Sequence, residues 1–230
     1  MTQYETIFKR RQVRQYSQSP LEPSLLHSIL DCAVSASQLA GQKTVIKLAS
    51  ADEVDGGQAP HYLLSYCDAS AEAYANAGYV LQAADLYIQS LGLGSGWFMS
   101  AKPKTDKEHF CIALAFGGTD VPMRQSEAEF KRVPAKEISS ADNAVVRAVR
   151  LAPSSLNSQP WKLEFEAGKV TVCDAGRGIK RIILKNKLNK IDVGIAARHA
   201  ALALEQEGKK LTAVTPVNDG KNFRIEITYA

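Results

Sequence analysis

The 230-residue chain is poor in cysteine, and its four, Cys32, Cys67, Cys111 and Cys173, are widely scattered. They form neither the C-x-x-C pairs of zinc or thioredoxin-like sites nor a small disulfide framework, so buried free thiols are expected. Charge of one sign is not in excess either. Lys and Arg number 28 against 24 Asp and Glu, a net +4 that does not imply a general affinity for nucleic acid or acidic membranes, and neither partner is expected. Any functional positive charge must therefore be local. No stretch approaches the roughly 20 apolar residues of a membrane span, and the opening segment lacks the apolar core of a secretion signal, so a cytoplasmic protein is expected. His27, His61, His109 and His199 lack metal-ligand spacing, and no metal site is expected. At 45% hydrophobic, the chain can bury one large core or two small ones.

What the chain does have is a repeated order of elements. Gly78–Gly92 aligns without a gap on Gly194–Gly208, and each stretch is an Ala-rich segment ending at glycine. Ala and Leu recur on more than one helical face, which suits helices buried among others, and the terminal glycine can take the left-handed cap. Upstream, Leu25–Ala36 lies against Asp142–Ala152, with helix starts expected at Ser24 and at Ser140 to Asp142. Strand candidates repeat too, His61–Asp68 answering Lys169–Asp174 and Phe110–Phe116 answering Phe223–Tyr229. Each half thus predicts helix, strand, strand, long helix, strand: an α+β protein with partly antiparallel sheets. The polar stretch Gly117–Pro134 marks the break between halves 1–134 and 135–230, as a bridge across one body.

Two clusters carry chemistry. Arg10, Arg11 and Arg14 concentrate guanidinium forks that match phosphate oxygens, although a solvated basic helix end has the same composition. The loop Pro153-Ser154-Ser155-Leu156-Asn157-Ser158-Gln159-Pro160-Trp161 follows a helix and precedes a strand, and is dense in polar groups able to line a ligand.

Together these clusters resemble the nitroreductase family of FMN-dependent oxidoreductases. Arg10-Arg-Gln-Val-Arg-Gln-Tyr16 is similar to the family's R-R-S-x-R-x-F opening, and Ala152–Trp161 to its A-P-S-x-x-N-x-Q-P-W loop. Leu91–Trp97 is similar to a G-L-G-x-x-W stretch, and Phe130–Ile138, more weakly, to a late R-R-K-P-x-E-E-I segment. The resemblance implies a nitroreductase-like α+β fold with mixed, largely antiparallel sheets, long buried helices and two pseudo-symmetric halves forming one body. In ordinary members the opening and the loop lie close in sequence, and two subunits share each flavin. Here the loop expected near Ala36–Lys43 has lost its Pro-Ser-Ser and Asn, and the second half has no arginine opening. The chain therefore resembles a single-chain pseudo-dimer with one flavin site, which implies that it works as a monomer.

By this resemblance Arg10 and Arg11, with Lys131 or Arg132, would hold the FMN phosphate, and Arg14 would reach the ring's N1/O2 edge. Pro153, Ser154, Ser155 and Asn157 would pack on the ring and bond the ribityl chain, and Trp97, Phe98 and Met99 would pass near N5. No catalytic side chain is implied beyond Arg14 as an electrostatic stabiliser, because the flavin carries the chemistry. The expected reaction passes two electrons from NAD(P)H to a nitroaromatic, quinone or similar small-molecule acceptor. The alternative is a flavin-binding or degenerate protein without efficient turnover. Gln12 stands where the family often has a Ser that contacts the phosphate, and the short Ala51–Pro60 stretch has no sign of the family's extra covering helices.

Overall fold

A computed structural model describes residues 1–176, 184 and 186–230. Along the chain, α1 (Gln3–Ile7) and α2 (Pro23–Ser35) precede β1 (Val45–Ser50), β2 (Val54–Asp55) and β3 (His61–Tyr66). Next come α3 (Ala71–Ser90), β4 (Gly94–Phe98), β5 (Lys102–Pro103) and β6 (Phe110–Gly117). After a long connection follow α4 (Ala144–Arg150), β7 (Trp161–Glu166), β8 (Lys169–Asp174), α5 (Leu188–Gln206), β9 (Leu211–Asn218) and β10 (Phe223–Tyr229).

Local chemistry explains the helix starts. The Ser70 hydroxyl accepts the Ala73 N–H of α3, the Asn143 side chain accepts the Val146 N–H of α4, and Pro23 supplies a preset φ at the first turn of α2. The start of α4 at Ala144 lies just beyond the expected Ser140 to Asp142.

Eight of the ten described strands form two four-stranded sheets, ordered β1-β3-β6-β4 and β7-β8-β10-β9, and β2 pairs separately with β5, with every pairing antiparallel. Counting only its own strands in chain order, each four-stranded sheet runs first, second, fourth, third. The sequence pattern led to one strand after each long helix, whereas each four-stranded sheet takes two strands from that stretch. The missed ones are the edge strands β4 and β9. Glycines dilute the β signal in β4, and Pro216 weakens it in β9, which only an edge position tolerates.

Between the sheets, α3 and α5 cross at two glycines. A methyl group on Gly78 would collide with the Ile191 carbonyl, and one on Gly194 with the Ala75 carbonyl. The register that lays Gly78 on Gly194 also lays Ala75 on Ile191, so the contact is reciprocal, as in a two-fold interface between identical subunits. One apolar core runs through both halves, joining Ile29, Leu81 and Leu86 to Val149, Ile195 and Ile225. The connection after β6 is tied to both sides: Arg124 N–H donates to Lys9 O at 2.9 Å, and Leu163 N–H to Ile138 O at 2.9 Å.

All four cysteines are free, Cys67 and Cys111 buried but Cys32 and Cys173 only half-buried. Among the described residues, no helix is long and apolar enough to cross a membrane.

Candidate cofactor site

A cleft of about 500 Å³ opens where the halves meet. One wall comes from the chain start and β4, the other from the Pro153–Asn157 loop and the first turns of α5. Of the residues singled out in the sequence, Arg10, Arg14, Trp97, Met99, Lys131, Arg132, Pro153, Ser154, Ser155 and Asn157 line it. Arg11 and Phe98 do not.

Strand geometry explains Phe98. Neighbouring residues on β4 point to opposite faces, so Trp97 packs toward the main core while Phe98 joins a second cluster with Tyr62 and Ala113. The Arg11 guanidinium instead donates to Glu129 Oε2 at 2.6 Å, and its main-chain N–H to Gln89 Oε1 at 2.8 Å. It is Glu129, not Arg11, that borders the cleft.

The cationic end of the cleft is unusual in its burial. Arg10 is 1% exposed, and its Nε donates to the fully buried Asp85 on α3 at 2.8 Å. Asp85 is fixed by the Ser95 hydroxyl at 2.6 Å and the Gln82 amide at 3.1 Å, so the carboxylate is held before any ligand arrives. Arg10 Nη2 is buried and has no partner. Arg124, an unforeseen member of the cluster, donates to the Arg10 carbonyl and lies on the Phe130 ring. Arg132 donates to Asn157 Oδ1 at 2.7 Å and to the Leu151 carbonyl at 3.2 Å, while its buried Nε has no partner.

Burial, and then the nearby charges of Arg10 and Arg124, push the Arg132 pKa down to about 9. Burial and the charges of Arg10 and Arg11 push that of Arg124 down to about 10. Like charges held together in a poorly solvated pocket favour an anionic ligand.

The loop wall is braced from below. Ser155 N–H donates to both carboxyl oxygens of Asp192, at 3.0 and 3.1 Å, and the hydroxyls of Ser155 and Ser158 lie at 3.3 and 3.5 Å. Asp192 is 1% exposed, and burial lifts its pKa to about 8 against the pull of these hydrogen bonds. Asn157 Nδ2 donates to the Lys131 carbonyl at 2.8 Å, so both ends of this amide serve the protein. Its role here is to brace Arg132. Leu156, Asn157 and Gln159 all have positive φ, a strained course held by the Ser154 hydroxyl on Gln159 N–H and by the Gln159 amide on Val133 N–H.

Gln12 clasps β4. Its amide nitrogen donates to the Trp97 carbonyl at 3.0 Å and its oxygen accepts the Trp97 N–H at 3.2 Å, which ties that N–H to the protein. The lack of a side chain at Gly96 permits this approach, since a Cβ there would lie 2.5 Å from Val13 O.

The first half keeps the same loop backbone without its chemistry. The repeat register lays Gly41 on Asn157 and Asn76 on Asp192; Gly41 has φ +71°, and Leu39 N–H donates to Asn76 Oδ1 at 2.8 Å, as Ser155 N–H does to Asp192. The buried Arg198 holds Ser37 there through its carbonyl at 2.8 Å and hydroxyl at 3.2 Å. Asp85, Arg124 and Asp192 escaped sequence reasoning. Only Asp192 had a signal, its alignment with Asn76. His199 is a core residue, kept neutral by burial that pulls its pKa to about 3.

The model of the family described as "Putative TM nitroreductase" matches residues 2–204. The chain belongs to this family of nitroreductase-like oxidoreductases. Among solved structures it is similar to a Thermotoga maritima protein described as a "putative nitroreductase", with 17% identity and a TM-score of 0.72 over 99% of this chain and 94% of that one. It is also similar to a Clostridium difficile nitroreductase family protein, with 21% identity and a TM-score of 0.51 over 62% of this chain and 99% of that one. At these identities the structures establish the fold alone. No curated protein sequence matches the chain.

Proposed function

We propose that the chain is an FMN-dependent NAD(P)H oxidoreductase that passes two electrons to a nitroaromatic, quinone or similar acceptor. The observation that carries this reading is the cluster of Arg10, Arg124 and Arg132 at one end of the cleft, Arg10 buried and the other two half-buried, with Arg10 Nη2 and Arg132 Nε buried and without partners. A phosphate monoester fits that need: it supplies negative charge and acceptors for Arg10 Nη2 and Arg132 Nε, with Lys131 beside them. Bound FMN would supply the two-electron chemistry, which no side chain of the cleft can provide.

The protein's own residues bind and orient. Pro153, Ser154 and Ser155 form one wall, fixed from below by Asp192. Trp97, Met99, Ile112, Ile191 and Ile195 provide apolar surface that displaces water from a planar ring. Arg14, on an exposed stretch, places a cation at the cleft, where it offsets negative charge developing on a bound ring. Halves 1–134 and 135–230 each contribute one side, so one chain holds one FMN and needs no second copy.

Glu129 favours a second reading, a flavin-binding protein without efficient turnover, because its carboxylate borders the cationic end and competes for Arg11. The test is to add FMN to the purified chain and then NADH or NADPH without air. The leading reading expects bound flavin whose visible absorbance the nicotinamide bleaches. Bound flavin that neither nicotinamide bleaches establishes the second reading, and absence of binding sinks both.

A further inference from the structure

A second cleft adjoins the first and shares Met99 and Ile112 with it. At about 1010 Å³ it is larger than the cofactor cleft, and Phe98 and Phe110 line it with aromatic surface. Among the described residues, Lys102, Lys107 and Lys187 border it against one carboxylate, Asp55. No salt bridge among the described residues engages any of these lysines. They come from three separate places, β5, the loop before β6 and the residue preceding α5, so the positive charge is not a single basic run. α5 itself begins at this rim without a side-chain cap, which adds the positive end of a 19-residue helix.

The first-half wall is preformed. β2 pairs with β5, the Ser100 hydroxyl donates to the Gly56 carbonyl at 3.1 Å, and Lys104 N–H donates to Glu53 O at 2.9 Å. Gly56 has φ +71°, and a methyl group there would strike the Ser100 carbonyl, so the turn holds its close approach only as glycine.

We propose that this cleft is the reactant subsite of the oxidoreductase, and that it selects a flat ring carrying an acidic group, phosphate, carboxylate or sulfonate, held by Lys102, Lys107 and Lys187. The ring lies over Met99 and Ile112 toward the cofactor cleft, and the acidic group points outward to the ammonium groups. The inference rests on the flavin reading and extends it, since a neutral quinone or nitroaromatic gains nothing from the lysines. Two sources supply this chemistry, the phosphates of the nicotinamide donor and an acidic group on the acceptor.

Titration calorimetry of the FMN-loaded protein at low salt distinguishes them, with NADP⁺, 4-nitrobenzoate and uncharged 4-nitrobenzamide as probes. In the triple variant Lys102→Gln, Lys107→Gln, Lys187→Gln, affinity for at least one anionic probe should fall about tenfold, while the amide changes less than about twofold. Loss confined to NADP⁺ assigns the subsite to the donor, and loss confined to 4-nitrobenzoate assigns it to the acceptor. Equal binding of both anions to parent and variant overturns the proposal, as does an equal loss for the amide. FMN affinity, measured separately by quenching of flavin fluorescence, should be unchanged in the variant. A parent chain that takes up no FMN refutes the flavin reading, and the same three probes on the flavin-free chain still decide the subsite.

Discussion

Asp192→Asn should stabilise the protein increasingly as pH rises. The buried Asp192 carboxyl ionises only near pH 8 in the folded chain, whereas in the unfolded chain it ionises at its ordinary value near 3.8. Its contribution to stability is fully present below the ordinary value, and is lost as pH rises toward and through about 8, because only the unfolded state sheds the proton. Each pH unit in this window costs about 1.4 kcal/mol, so the parent should lose up to about 3 kcal/mol between pH 5.5 and 8 through this group. Asn76 shows that an amide can hold the equivalent loop N–H, at 2.8 Å. The variant therefore keeps the loop and loses the pH term.

For a chain of this size, the Tm difference between variant and parent should widen by about 6–12 °C from pH 5.5 to 8. Thermal unfolding followed by circular dichroism reads this directly. Loss of one hydrogen-bond acceptor shifts both ends of the range equally, so the slope is the diagnostic. A Tm difference constant over this range would refute the argument that Asp192 is held neutral. Asp192→Ala, which leaves the Ser155 N–H without a partner, should cost about 1–3 kcal/mol and loosen FMN binding.

Arg10→Met leaves Asp85 buried without its cation and should cost about 3–5 kcal/mol in urea unfolding, so FMN loss in that variant is confounded by instability. Arg132→Gln removes a cation that its neighbours repel. Its stability should stay within about 1 kcal/mol of the parent while FMN affinity falls by about tenfold or more, measured by fluorescence quenching. Gly78→Ala and Gly194→Ala should each destabilise by about 3 kcal/mol or prevent folding, and by similar amounts, because each methyl group meets the backbone of the other helix. Gly41→Ala meets no atom within 4 Å but keeps a positive φ, so it should cost about 1 kcal/mol in thermal unfolding and leave FMN binding untouched.

The two long helices were legible because repetition supplies information that propensity does not. The gapless match of Gly78–Gly92 with Gly194–Gly208 pointed to two buried helices, and their reciprocal glycine crossing is the physical reason both glycines stand at those positions. Strands β4 and β9 were not legible, since Gly-Ser-Gly and a proline suppress the β signal and only pairing with β6 and β10 makes them strands. Ten of the motif residues line one cleft, and Arg11 and Phe98 do not. Their partners did not show. Asp85, seventy-five positions from Arg10, is an ordinary residue of an Ala-rich helix until the fold buries both, and Arg124 lies in the connection between halves, outside any periodic pattern. Asn157 lines the cleft, but its side chain is spent on Lys131 and Arg132, which motif spacing cannot reveal.

The most direct test of the central claim is a titration of the purified chain with FMN and, in parallel, with riboflavin, followed by quenching of flavin fluorescence. One FMN per chain is expected, with riboflavin bound about tenfold or more weakly for want of the phosphate that Arg10, Arg124 and Arg132 require. No FMN binding, two FMN per chain, or equal affinity for the two flavins would contradict a single site built from the arginines of one half and the Pro153–Asn157 loop of the other.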